Sequence, residues 1–302
     1  MERIYERMQP NFFIIGAPKC GTTSLADLLA QHDDVFFCPE KEPRFFSHEE
    51  TYKRGFGDYE ALFGEANDEK RIGEGSTTYS EAWLDRYEKS ARRIHDYCPS
   101  ARLIYCVRHP LRRIQSNWLD IIWALDNDLM QGTELHQSDE LSVSGDFNDD
   151  VLANDGLVQT SNYWRVIQEY RQYFSDEQIQ IVFLKDLKSS PDAVLRECCT
   201  FLDVGPGFDF TDPDEARNTS ASKGLATTFG RIARSIPGYR TLAGGAPSFL
   251  KALVRPLIKD SFTGKPDWRP TVKEKVVSRL EGDTNRFLNY TGRPRDYWIL
   301  DA

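Results

Sequence analysis

The chain has 302 residues, 38 Lys and Arg against 47 Asp and Glu, a net charge of −9 and 40% hydrophobic residues. That length suffices for one well-buried domain, and the balance is that of an ordinary globular protein, not of a basic nucleic-acid binder or a disordered tail. No apolar run nears the roughly 18 to 20 residues that span a bilayer, and the first seven residues lack the apolar core of a secretory leader, so no membrane span and a cytoplasmic location are expected. Six cysteines without Cys-x-x-Cys spacing and five scattered histidines give no metal-ligand pattern, so no metal is expected.

Short apolar runs alternate with helical periodicity along the chain, which predicts an α/β fold around a largely parallel sheet. Residues 12–15 read as a buried strand, followed by a glycine-bearing turn and a helix through Leu25, Leu28 and Leu29. Residues 71–74 are a weaker strand candidate, with a helix over about 81–97 after it. Residues 102–107 form a further strand, and Pro110 suits the first turn of the next helix. Tyr163, Val166, Ile167, Tyr170 and Phe174 share one helical face; 179–184 reads as a strand and 193–202 as a helix. A last helix carries Val272, Val276, Leu280, Phe287 and Leu288 in register. Two stretches break the rhythm. Residues 128–158 read as a polar acidic insert, and 212–270, with many Gly and Pro, as a lid-like region. Ten acids and no Lys or Arg lie between Ile114 and Trp164, more than the whole net charge. With no repeat and no linker, residues 1–302 are expected to form one domain.

Gly16-Ala17-Pro18-Lys19-Cys20-Gly21-Thr22-Thr23-Ser24 follows a strand directly and opens a helix. Such a turn aims backbone N–H groups and a helix N-terminus at an anion. The glycines admit close backbone approach, Lys19 brings a mobile positive charge, and Thr22 and Thr23 bring hydroxyl donors. An ATP or GTP loop places lysine after its second glycine, whereas here Thr22 stands there and the lysine is at 19. The 102–107 strand runs into Arg108, where a Mg²⁺ site would need a carboxylate. The pattern therefore speaks against a kinase or NTPase. Arg108 can chelate a phosphate, and Ser116, two helical turns on, can donate to a remaining oxygen. Taken singly, those two residues read equally well as an ion-pair partner and a helix-surface hydroxyl.

Together, the Gly-Thr-Thr turn and the strand-end arginine with its downstream serine resemble the sulfotransferase family, in particular its heparan-type and bacterial branch. Glu74-Gly75-Ser76-Thr77-Thr78-Tyr79 is similar to the family's Glu-Lys-Ser/Thr-x-x-Tyr segment. Phe183-Leu184-Lys185-Asp186-Leu187, with Pro191 and Phe201-Leu202, resembles its late strand–helix pair, and Gly292 with Trp298 its ending. The resemblance implies a P-loop-like three-layer sandwich, a central parallel sheet flanked by helices. It implies 3′-phosphoadenosine 5′-phosphosulfate (PAPS) as donor, leaving 3′-phosphoadenosine 5′-phosphate (PAP). Pro18, Lys19, Cys20, Gly21, Thr22, Thr23 and Ser24 would hold the 5′-phosphosulfate, and Arg108 and Ser116 the 3′-phosphate. Pro39-Glu40-Lys41-Glu42-Pro43-Arg44-Phe45-Phe46-Ser47 looks like the family's Lys-Glu-Pro-His-Phe-Phe segment, whose glutamate is the base, and it maps that glutamate onto Glu42. Lys19 would stabilise charge on the leaving phosphate and the sulfuryl oxygens. Lys223 and Gly224 resemble a Lys-Gly loop that closes over the 3′-phosphate, with Arg231 and Arg234 as alternatives. The sequence departs from the pattern at Gly75, where the heparan branch has Lys, and at Arg44, where it often has His. A histidine base is not supported, and His48 and His109 read as structural or solvated.

The expected activity is in-line sulfuryl transfer to a hydroxyl, less readily an amine, of a small-molecule or carbohydrate acceptor, as in natural-product or carbohydrate modification. No nucleic-acid partner is expected. The acidic 120–155 stretch would disfavour a polyanionic glycosaminoglycan by repulsion. Gly75 keeps open a reading of another class, a catalytically inactive sulfotransferase-like protein that only binds nucleotide.

Overall fold

The structure is a computed structural model that describes residues 9–82, 85–126, 143–211, 224–226, 259–261 and 265–300. The chain forms two compact units, the first made of Met1–Arg113, Gly156–Arg217 and Lys273–Ala302, the second of Ile114–Asp155 and Asn218–Val272. Among the described residues no helix is long and apolar enough to cross a membrane.

Five parallel strands build the first unit: β1 (Phe12–Gly16), β2 (Val35–Phe37), β3 (Arg71–Gly75), β4 (Arg102–Val107) and β5 (Ile179–Phe183). Their order is β2-β3-β1-β4-β5, with Phe12 beside Gly73 on one side and beside Arg102 on the other. β1 and β4 are almost unbroken apolar runs because both faces are covered, and Phe12 to Ile15 and Leu103 to Val107 are buried. The helices, in chain order, are α1 (Thr22–Leu29), α2 (Glu49–Lys53), α3 (Phe56–Ala61), α4 (Arg86–Tyr97), α5 (Pro110–Asp126), α6 (Phe147–Ala153), α7 (Asp155–Gln159), α8 (Tyr163–Tyr170), α9 (Leu184–Ser189), α10 (Pro191–Leu202) and α11 (Pro270–Tyr290). Leu25, Leu28 and Leu29 of α1 and Tyr163, Val166, Ile167 and Tyr170 of α8 turn their apolar stripes inward, as the periodicity predicts. The fold is the predicted α/β, P-loop-like sandwich of a central parallel sheet flanked by helices.

Some boundaries differ from the sequence reading for local reasons. The helix expected from about 81 starts at Arg86, since Thr77–Ser80 is a 3₁₀ turn. Residues 128–142 of the expected insert lie outside the described residues, but its later part is helical. Asp146 caps α6 by accepting from the Asn148 and Asp149 N–H groups, and Phe147 and Val151 are buried. In the second unit Trp118 packs edge-on against Phe147, and Phe147 against Trp268. Asp150 is buried there and accepts from Trp118 Nε1 at 2.8 Å and from Ser144 Oγ at 2.7 Å. Most of the expected lid-like region lies outside the described residues; β6 (Gly224–Ala226) and β7 (Lys259–Ser261) pair antiparallel within it.

Candidate functional site

Parallel strands end at a common edge, and the loops leaving β1, β2, β3 and β4 there carry most of the predicted residues. Pro18, Lys19, Cys20 and Gly21 join β1 to α1, and Thr22, Thr23 and Ser24 form the first turn of α1. Gly21 is the N-cap at φ 88; no side chain caps this end and no acid lies in its first turn, which suits an anion. Both bends require glycine. A Cβ on Gly16 (φ +130) would lie 2.0 Å from Ser80 Oγ, and one on Gly21 2.6 Å from Leu184 Cδ1.

Arg108 leaves the end of β4 and donates from its guanidinium to the Lys19 carbonyl oxygen at 3.2 Å, which ties the two loops together. The Tyr163 hydroxyl donates to the Arg108 carbonyl at 2.7 Å. Cys20 is buried beneath the turn, 3.8 Å from the Tyr163 hydroxyl. Burial pushes the Cys20 thiol up to about 11, while Arg113, Arg108, the Tyr163 hydrogen bond and Lys19 each pull it down. Arg113 carries no warning in the sequence, where it reads as one more cation of a basic turn. It is wholly buried, with Nε donating to Ser161 Oγ at 2.6 Å and a second nitrogen to the Leu157 carbonyl. Ser116 is buried on the stretch of α5 that belongs to the second unit, and Gly224 opens β6 in the same unit. Lys223, Arg231 and Arg234 lie outside the described residues.

Glu42 sits in the loop between β2 and α2 with φ 54, and Arg44 follows with φ 58. Thr77, just past β3, donates its hydroxyl to both Glu42 oxygens at 3.2 Å, and the Arg44 guanidinium lies 3.5 Å from one of them. Burial pushes the Glu42 carboxyl above its usual range; Arg44 opposes this, Glu81 adds to it, and the Thr77 hydrogen bond opposes it. Thr77 also borders the phosphate-type turn, since its carbonyl would be 3.2 Å from a Cβ on Gly16. Gly75 has a packing reason: a Cβ there would meet Phe37 Cζ at 3.3 Å and Ile14 Cβ at 3.4 Å, so a longer side chain needs the Phe37 ring to yield. His109 is held by the Ile299 carbonyl at 3.0 Å and His48 by Ser47 Oγ at 2.9 Å. A cavity of ≈ 380 Å³ lies elsewhere in the first unit, beside β5, lined in part by Gln180, Asp186, Glu197 and Arg293, and it contains none of these candidates.

The family model of the sulfotransferase domain matches residues 9–218. Among curated proteins, carbohydrate sulfotransferase 15 of Homo sapiens is 28% identical over 257 residues, covering 66% of this chain and 45% of that protein. The bifunctional heparan sulfate N-deacetylase/N-sulfotransferase 1 of Caenorhabditis briggsae is 27% identical over 217 residues, covering 67% of this chain and 23% of that protein. The chain thus spans less than half the length of these two relatives. A sulfotransferase structure from Alicyclobacillus acidocaldarius superposes with a TM-score of 0.61 at 22% identity, covering 96% of this chain and 98% of the other, which supports the fold. With a domain match that takes in well over half of its residues, this chain belongs to the sulfotransferase family.

Proposed function

We propose that this chain transfers a sulfuryl group from PAPS to a hydroxyl of a carbohydrate or small-molecule acceptor, with Glu42 as general base. One observation carries the reading. The open N-terminus of α1 and Lys19 meet Arg108, which donates to the Lys19 carbonyl, at one turn, and Thr77 ties Glu42 to that same turn. The residues fit the donor: glycines at 16 and 21 leave the backbone open to close approach, and the cations match phosphate and sulfate.

In this reading Glu42 accepts the proton of the acceptor hydroxyl. The acceptor oxygen bonds to sulfur as the bond from sulfur to the 5′-phosphate oxygen breaks, and PAP leaves. The leaving oxygen gains negative charge, which Lys19 and the first N–H groups of α1 are placed to hold. Arg108 would take the 3′-phosphate. A burial-raised carboxyl is a stronger base but must be ionised to act, and Arg44 and Thr77 favour that ionised form. The names of the relatives make carbohydrate hydroxyls the first acceptors to screen. The acidic stretch is a weaker guide to the acceptor, because Asp146 and Asp149 pair with Arg269 at 2.7 and 2.6 Å and Asp150 is internal.

Isothermal titration with PAP in metal-free buffer, on the wild type and Arg108→Ala, tests the donor assignment. Binding should weaken at least about tenfold in the variant, the loss of one charge-assisted contact. A folded wild type that does not bind PAP would contradict the reading.

A further inference from the structure

We propose that Glu74 is a positioning residue for Glu42, acting from inside the sheet through hydroxyls that bracket the 44–46 backbone. The inference rests on the reading of Glu42 as base. Glu74 lies on β3 and is wholly buried. Three hydroxyls donate to it: Ser76 Oγ to Oε2 at 2.9 Å, and both Tyr59 (3.3 Å) and Tyr79 to Oε1. An ionised carboxylate only accepts, so each hydroxyl has to give it a proton and keeps only acceptor capacity for other neighbours. Two of those hydroxyl oxygens face the Glu42 loop. Ser76 Oγ accepts the Arg44 N–H at 2.9 Å, and the Tyr79 oxygen accepts the Phe46 N–H at 3.5 Å. The carboxylate thus sets the direction in which the hydroxyls donate, in line with the backbone N–H groups that donate to them, and the chain of bonds polarises in one sense.

The bracket closes on the segment whose backbone is least comfortable, with Glu42 and Arg44 both left-handed. Ser76 is followed by Thr77, which donates to Glu42 itself, so one strand end orders both the loop and the carboxylate it carries. A carboxyl is a costly group to bury in a sheet, and an apolar residue would pack there without that penalty. Its position is accounted for by the polarity it imposes. Besides its three hydroxyls, Glu74 faces Cys38 from the loop after β2, Tyr170 of α8 and Glu42. Glu42 in turn faces Arg44, Glu81 and Lys41. The repulsion between the two falls on Glu74, which it helps to keep protonated, so Glu42 ionises beside a neutral partner and a neutral amide at 74 leaves its acid limb in place.

The test compares Glu74→Gln, Ser76→Ala and Glu42→Gln by amide hydrogen exchange, PAP titration and the pH profile of PAP release from PAPS with water as acceptor. In Glu74→Gln, exchange at Arg44 and Phe46 should accelerate about tenfold, the worth of one hydrogen bond. Turnover should fall by up to about 10²-fold from misplacement of the base, while the acid limb stays in place and PAP affinity stays within about twofold. Ser76→Ala, which leaves the carboxyl in place, should release the Arg44 amide alone and lower turnover without moving the limb. Wild-type exchange in Glu74→Gln, or PAP affinity falling in step with turnover, overturns the inference while leaving Glu42 as base. Wild-type turnover in Glu42→Gln overturns the base assignment and this inference with it.

Discussion

Lys19, Glu42 and Arg44 are non-glycine residues with φ of 67, 54 and 58, a backbone state that costs about 1 kcal/mol or more each. All three lie in the loops proposed to handle donor and acceptor. Thr77 is the simplest probe of how Glu42 is held. Its hydroxyl lowers the proton affinity of Glu42, so Thr77→Val should move the acid limb of turnover to higher pH. At neutral pH the variant should lose about tenfold in rate, and an unmoved limb would count against the contact. Glu74 yields a stability prediction. Burial pushes its carboxyl from an ordinary 4.5 up to about 7, against the pull of Tyr79, Ser76 and Tyr59. The folded chain therefore holds that proton more tightly than the unfolded chain. The stability it contributes is full below pH 4.5 and is lost as pH rises through 7. At about 1.4 kcal/mol per pH unit the loss is about 3 to 4 kcal/mol, and Glu74→Gln should remove it. Urea unfolding at pH 4 and pH 8 would show this, and equal slopes for variant and wild type would contradict it. Glu42 was legible through the likeness of its segment to known bases. The hydroxyls at 76, 77 and 79 were visible only as part of a motif, since which way a hydroxyl donates depends on what folds beside it.

At the level of elements, the strands that emerged plainly from the sequence are those buried on both faces, where an apolar run has no competing reading. β2 did not, because Val35–Phe37 is three residues at the rim of the sheet and two of the three are only partly buried. The acidic stretch read as loop because Asp and Asn are poor helix formers. Asp146 shows the compensation, using that same chemistry as a cap. The turn between β1 and α1 is the most exacting element. Gly21→Ala would force a side chain into φ 88 and against Leu184, so a loss of about 1 to 3 kcal/mol in chemical denaturation is expected, with weaker PAP binding. Wild-type stability in that variant would mean the turn is less constrained than its geometry implies. In the second unit, Asp150→Ala leaves the Trp118 indole and the Ser144 hydroxyl without their acceptor and should cost about 2 kcal/mol by the same measurement.

Across the whole molecule, the net charge of −9 conceals a local excess of the opposite sign. Lys19, Arg108 and Arg113 gather at the phosphate-type turn, and parallel strands collect their loops on the same edge as Glu42. That arrangement suits a donor carrying phosphates at two places and an acceptor to be deprotonated. The fold, and the turn that brings Lys19 beside Arg108, could be read from spacing and likeness because such turns are local in sequence. The acceptor half could not, because it depends on which surfaces meet around Glu42. The most direct measurement is PAP release from PAPS by wild type and Glu42→Gln, with the PAP affinity of both measured alongside. The account predicts turnover lower by about 10³-fold in the variant at unchanged affinity. Equal turnover in the two proteins would contradict it.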